Sequence, residues 1–176
     1  MNDTGSLSSV NDLVLKKKIL SLREHYDFED RGGNKLGQAE GNFVQIPAKF
    51  IVKDANGSDL MHIEEKVLSI SKQYTFHDGE GKELGTIKKK IVKLIGEEFW
   101  VEKDGVEFMR IYGNFTEHDY QMTVEGAQVA LVHKKWLTVR DKIGLSITGD
   151  VDHRVAIGAV IVIEHIEVTE NEKNRQ

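Results

Sequence analysis

Proton transfer or metal binding in this chain would depend on histidines and carboxylates, because the sequence has no cysteine. No two of its seven histidines have the HExxH spacing of zinc proteases, and none stands in a nucleophile motif. His62 and Glu64 would share one face of a strand, where they could contribute to a metal site. Solvated residues on an exposed strand face explain the same pattern, and we favour this interpretation.

A second candidate for acid–base chemistry is the run Glu117–His118–Asp119, in which a proton acceptor lies between two carboxylates. The run closely follows the dipeptide Gly113–Asn114, which is typical of turns, and polar residues are common beside turns. We favour the turn interpretation, so the sequence predicts no catalytic residue.

One segment matches positions 1, 3, 5 and 12 of a calcium-binding loop, with Asp54, Asn56, Ser58 and Glu65. The loop needs glycine for its sharp turn, but Asp59 occupies that position, and no helical pattern flanks it. The dipeptide NG within this segment is itself a hairpin signal. We therefore interpret the segment as a turn and predict neither a bound metal nor a cofactor.

Lysines are concentrated at the ends of several predicted strands. The candidate ligand-binding residues are Lys16, Lys18, Lys88, Lys90 and Lys134. A patch of such lysines would attract anionic lipid headgroups at about 1 kcal/mol per residue near a membrane. The same lysines would also keep a barrel surface soluble and discourage pairing between strand edges, and this second interpretation stays open.

The composition restricts the class of protein. The chain has 176 residues and a net charge of −5, which argues against a nucleic-acid binder. The longest apolar run, residues 155–163, is too short to span a bilayer. The N-terminal residues lack the pattern of a signal peptide. We expect a cytoplasmic protein with no transmembrane segment.

An internal repeat predicts the architecture. Residues 18–37 and 66–85 are identical at nine of twenty aligned positions. Aromatic residues open successive units at intervals of 24, 24, 25 and 21 residues: Tyr26, Phe50, Tyr74, Phe99 and Tyr120. Asp/Gly turns separate the alternating apolar stretches, which indicates hairpins. Twelve strands between residues 13 and 149 are predicted to form a sandwich or a closed barrel, with the aromatic residues in the core.

Residues 152–168 break the alternation. Their apolar run is longer than a typical strand, whereas their Val and Ile content favours a strand. A barrel of about eight strands is filled by its own side chains, so twelve would leave an open bore. A helix about 10 Å across could fill such a bore, with Asp150 or Asp152 as its N-cap.

Several of these segments together resemble the LURP-one-related family, which is similar to the tubby C-terminal domain and more distantly to the phospholipid scramblases. They are the repeated LSLxxxYxFxDxxGxxLG units, YGNFTEHDYQMTVEG at 112–126, VALVHKKW at 129–136 and the apolar C-terminal segment. The resemblance implies a twelve-stranded antiparallel closed barrel around a hydrophobic C-terminal helix. We expect a flexible tail at 1–12, one domain at 13–168 with its helix at about 152–166, and a flexible tail at 169–176.

The resemblance implies less about activity, because the family has no agreed catalytic residues. Tubby domains bind phosphoinositide headgroups, so an anionic lipid headgroup is one expected partner, by analogy of fold. The leading hypothesis is a non-enzymatic scaffold that binds a lipid, a membrane surface or a protein. The alternative is a barrel that binds a small molecule, and an enzyme ranks third.

Overall fold

The structure is a computed structural model, and it describes residues 6–20, 23–42, 46–67, 71–92, 96–134 and 142–175. In these residues the fold consists of twelve strands and one helix, α1 at His153–Lys173. The strands are β1 Asp12–Leu20, β2 Arg23–Glu29, β3 Lys35–Asn42, β4 Lys49–Asp54, β5 Asp59–Glu65, β6 Gln73–Asp78, β7 Glu83–Val92, β8 Gly96–Lys103, β9 Val106–Asn114, β10 Asp119–Val124, β11 Ala127–His133 and β12 Lys142–Ile147.

Each strand pairs antiparallel with its neighbours in chain order, and β1 pairs with β12 to close the barrel. The predicted twelve-stranded barrel with its C-terminal helix is therefore confirmed. Closure removes the unpaired strand edges that a meander of this length would otherwise expose.

The strands form because apolar residues alternate with polar ones, so that each strand has one inward face. The aromatic residue that opens each repeat unit lies on this face and is at most 2% exposed: Tyr26, Phe50, Tyr74, Phe99 and Tyr120. Their predicted place in the core is confirmed.

Three turns at one end of the barrel repeat the same hydrogen-bonding pattern at Asp30, Asp54 and Asp78. The Asp54 carboxylate accepts backbone N–H groups from Asn56 and Ser58, both at 2.9 Å. Such a carboxylate stabilises a tight turn by replacing a backbone acceptor. The segment that matched a calcium loop is thus a turn of the repeat, as interpreted from the sequence.

Helix α1 begins where the Asp152 side chain accepts the N–H of Arg154 at 2.9 Å. All residues from Val155 to Ile166 are buried, including the whole apolar run. The apolar half fills the bore, and the later turns carry polar residues toward the opposite end of the barrel. In the described part of the chain, no helix combines the length and apolar character needed to cross a membrane.

The structure corrects the predicted ends of the domain. Helix α1 continues to Lys173, so residues 169–173 are helical and not a tail. Thr169 and Glu170 accept hydrogen bonds from Lys72 and Lys89 of the barrel, and these contacts hold the last turns in place. At the other terminus, Leu7 is 1% exposed and belongs to the core, although the sequence placed it in a flexible tail.

These contacts change the expected result of shortening the chain. Removing residues 169–176 should lower the melting temperature by several degrees, because Lys89 loses one of its two carboxylate partners at a cost of about 1–3 kcal/mol. Removing residues 174–176 alone should leave it unchanged. Thermal unfolding followed by circular dichroism measures both variants, and equal melting of the longer truncation and the wild type would contradict the prediction.

Candidate functional site

The predicted lysine sites lie on two distant strands. Lys16 and Lys18 are on β1, and Lys88 and Lys90 are on β7. In a ring of twelve strands, β1 and β7 are six strands apart in both directions, so the two pairs lie on opposite sides of the barrel. Lys134 follows β11. The lysines therefore do not form one continuous patch.

Carboxylates neutralise several of these lysines. The ammonium group of Lys16 lies 2.6 Å from Glu29, that of Lys18 lies 2.7 Å from Asp27, and that of Lys88 lies 2.5 Å from Glu102: three pairs on the barrel surface. Burial alone would raise the pKa of Asp27, but hydrogen bonds from Lys18, His25 and Lys35 hold the pKa well below its usual range. Headgroup binding by these lysines stays a prediction, and it would compete with these ion pairs.

Residues 16–18 on β1 and residues 88–90 on β7 are runs of three lysines, and the middle lysine of each run points into the barrel. The sequence analysis missed both of these inward lysines. Lys17 lies 3.2 Å from Glu24, and Lys89 lies 2.8 Å from Glu97 and 2.6 Å from Glu170. Strand alternation contained the signal, because a strand that turns its first and third lysines outward must turn the second inward.

His165 of α1 completes the first of these inward clusters. Its Nδ1 atom lies 2.9 Å from the Glu24 carboxylate, which is fully buried. The rings of Phe50 and Tyr74 contact the imidazole edge-on, with centroids 5.2 and 6.0 Å away. The cluster is therefore an enclosed polar contact between α1 and the barrel wall.

Glu164, the residue before His165, makes a similar contact in which the helix supplies the carboxylate and the barrel supplies the histidine. Glu164 of α1 lies 2.6 Å from Nδ1 of His118, the histidine that the sequence identified in a possible acid–base run. The residues on either side of His118, Glu117 and Asp119, are exposed and do not join this contact. His118 thus contacts the helix from the β9–β10 turn, whereas Glu117 and Asp119 lie outside this contact.

Each member of the possible metal pair has another side chain as its direct partner. His62 contacts Asp59 at 3.1 Å, and Glu64 contacts Lys49 at 2.9 Å. In the described residues, Glu97, Glu167 and Glu170 do bring three carboxylates together. The ammonium group of Lys89 already contacts two of the three, Glu97 and Glu170, and supplies the positive charge there.

A different surface emerges on β8 and β9, which we call the β8–β9 face: Trp100, Val106, Phe108, Arg110 and Tyr112. Among the residues that the structure describes, Trp100, Phe108 and Tyr112 are the aromatic side chains that are not buried. Trp100 pairs directly with Arg110 across the two strands. Val106 is 67% exposed and Tyr112 is 40% exposed, so this face presents apolar surface to solvent.

A β-bulge shapes this face. The pairing of β8 with β9 shifts between Val101 and Glu102, which leaves Phe108 as the extra residue. Phe108 and Val106 line a groove of about 650 Å³ that extends to Tyr112 and Val124, and also a hollow of about 360 Å³ that reaches Leu84. The two depressions share these two residues and form one path from the outer wall to the barrel mouth.

The charges around the β8–β9 face are mixed and slightly acidic. Five acidic side chains surround or adjoin it, Glu98, Glu102, Asp104, Glu107 and Glu125, against four basic ones, Lys88, Lys90, Lys103 and Arg110. Arg110 pairs with Glu107 and lies 4.0 Å from Glu98. An anionic ligand would thus meet a surface whose positive charges are largely neutralised.

The fold and its interior define a class of protein: a closed antiparallel barrel filled by an apolar helix, with the interior charges paired to one another. The sequence model of the LURP-one-related family matches residues 11–164, and the chain belongs to that family. A crystal structure of a protein from Arabidopsis thaliana is similar, with a TM-score of 0.60 and 17% identity over 90% of this chain and 91% of that one. No curated protein matches the sequence.

Proposed function

We propose that this barrel is a non-enzymatic recognition domain that binds a protein partner through the β8–β9 face. One observation supports it above all: the aromatic side chains left partly exposed in the described residues, Trp100, Phe108 and Tyr112, lie on two paired strands. Phe108 and Tyr112 also line a groove there, with Phe108 resting against the core. Tryptophan, tyrosine and arginine are the residues most enriched at energetically important positions of protein interfaces.

The state of the titratable groups supports a role without catalysis. Two histidine–carboxylate pairs in the described interior bind each other: His165 contacts Glu24, and His118 contacts Glu164. Catalytic groups need a free position beside a substrate, and these four side chains instead join the helix to the wall. The hollows near Val106 lie on the outer wall and at the barrel mouth, which favours a surface partner over a molecule inside the bore.

Charge favours a protein over an anionic membrane. The basic side chains near Trp100 are outnumbered by carboxylates, and Lys88 is bound to Glu102. An anionic headgroup would have to displace such ion pairs. The lysines on the opposite side, Lys16 and Lys18, are paired as well and have no partly exposed aromatic neighbour among the described residues.

Selection from a library of random phage-displayed peptides tests the proposal. Peptides enriched on the wild-type protein should bind Trp100→Ala and Tyr112→Ala at least about 30-fold more weakly, which corresponds to about 2 kcal/mol at an interface hot spot. Ile51→Ala, which removes an exposed apolar side chain from β4, is the matched control and should bind as the wild type does. Failure to enrich any peptide, or equal binding by all variants, would overturn the proposal.

Co-sedimentation with anionic vesicles examines the competing membrane hypothesis on the same variants. We expect no binding at physiological salt. Vesicle binding that is lost in Lys88→Glu/Lys90→Glu or Lys16→Glu/Lys18→Glu, and kept in Tyr112→Ala, would identify the lysines as a headgroup site and contradict the protein-binding proposal.

A further inference from the structure

Two hairpin turns next to the β8–β9 face adopt the same unusual conformation. Asp104–Gly105 joins β8 to β9 and Glu125–Gly126 joins β10 to β11, and all four residues have positive φ, between 50° and 82°. Two-residue loops with both φ values positive are type I′ turns, whose first position favours Asn, Asp or Gly. Asp104 fits this preference, whereas Glu125 does not.

Glu125 therefore occupies its turn at a cost in stability, because left-handed backbone is unfavourable for a residue with a long side chain. Its carboxylate is exposed, and among the described residues it takes part in no hydrogen bond or ion pair. The strain is thus not offset by a contact inside the molecule. Natural proteins keep such unfavourable residues mainly where function needs them.

The position of Glu125 connects it to the groove. The residue lines the groove together with Val124, Phe108 and Tyr112. The other carboxylate of this groove belongs to Glu107 and is bound by Arg110. Of the two described carboxylates that line the groove, Glu125 is therefore the one available to bind a cationic group of a partner.

We infer that the partner of the β8–β9 face presents an apolar segment carrying a lysine or arginine, and that Glu125 binds this cationic side chain while the groove takes the apolar ones. The inference rests on the proposed function and specifies the chemistry of the partner. Charge complementarity favours this occupant, since the groove and its surroundings carry more acidic than basic groups.

Two substitutions of Glu125 test the inference with the same peptide library. Glu125→Asn keeps the turn preference and should raise the melting temperature by a few degrees, while the peptides selected on wild type should bind about fivefold more weakly. Glu125→Lys should enrich acidic peptides in place of basic ones. Glu80→Gln removes a carboxylate from a distant turn and is the control for net charge, with unchanged binding expected.

The outcomes separate the inference from the proposed function. Unchanged peptide binding by Glu125→Asn, together with loss of binding in Tyr112→Ala, would overturn the inference and leave the proposed function standing. Failure of the wild type to enrich any peptide would overturn both. Self-association of the wild type, measured by analytical ultracentrifugation and abolished by Tyr112→Ala, would identify a second copy of the chain as the occupant and overturn the inference.

Discussion

Replacing Gly158 with aspartate should leave no cooperatively folded protein. Gly158 lies in the enclosed part of α1, where an added Cβ atom would be 2.9 Å from Cε of Met61 and 3.0 Å from Cε1 of Phe76. The substitution adds this steric conflict to the burial of an unpaired carboxylate, which costs several kcal/mol or more. Circular dichroism and urea unfolding should show no native transition.

The control places the same charge on an exposed part of the same helix. Asn171→Asp lies in the exposed last turns of α1 and should melt within a few degrees of wild type. If Gly158→Asp also melted within a few degrees of wild type, the enclosed position of the helix would be wrong.

Breaking the ionic cluster at Glu24 should have the second largest effect. Glu24→Leu removes the carboxylate that contacts both Lys17 and His165 and leaves a largely buried ammonium group without its counter-ion. Loss of one partner of a buried ion pair costs about 3–5 kcal/mol. The free energy of unfolding in urea should fall by this amount.

A second substitution distinguishes a lost ion pair from general damage to the core. Lys17→Met in the Glu24→Leu background should restore most of the lost stability, because replacing a whole buried pair with apolar side chains is often neutral or better. Glu64→Gln breaks an exposed ion pair with Lys49 and should cost under about 1 kcal/mol. No recovery in the double variant would show that Glu24 acts mainly through packing.

The sequence predicted the strands well because their signal is local. Tyr26 and Phe28 alternate with polar residues, and turns built on Asp30 and Asp54 recur at the repeat spacing, so each hairpin is visible in about 24 residues. Helix α1 has no such alternation, and its assignment needed the argument that a wide barrel requires filling.

The end of α1 could not be read from the sequence because its cause is not local. Residues 169–173 are polar and resemble a tail, and they are held by Lys72 and Lys89, which lie roughly 80 to 100 positions earlier. The β8–β9 face was not predicted from the sequence for a related reason. Phe99 was correctly predicted to lie in the core. Its neighbour Trp100 could be recognised as part of a binding surface only once its pairing with Arg110 of the next strand was known.

The position of α1 in the chain also sets the order in which the protein can fold as it is made. All twelve strands precede the helix that fills their bore, so β1 leaves the ribosome about 7 to 28 seconds before the helix begins to emerge, at roughly 5–20 residues per second. Until then no helix covers the inward aromatic faces of the strands. The nascent chain therefore exposes apolar strands, the kind of surface that chaperones bind. We therefore expect the barrel wall to complete its folding only after synthesis has passed Ile166.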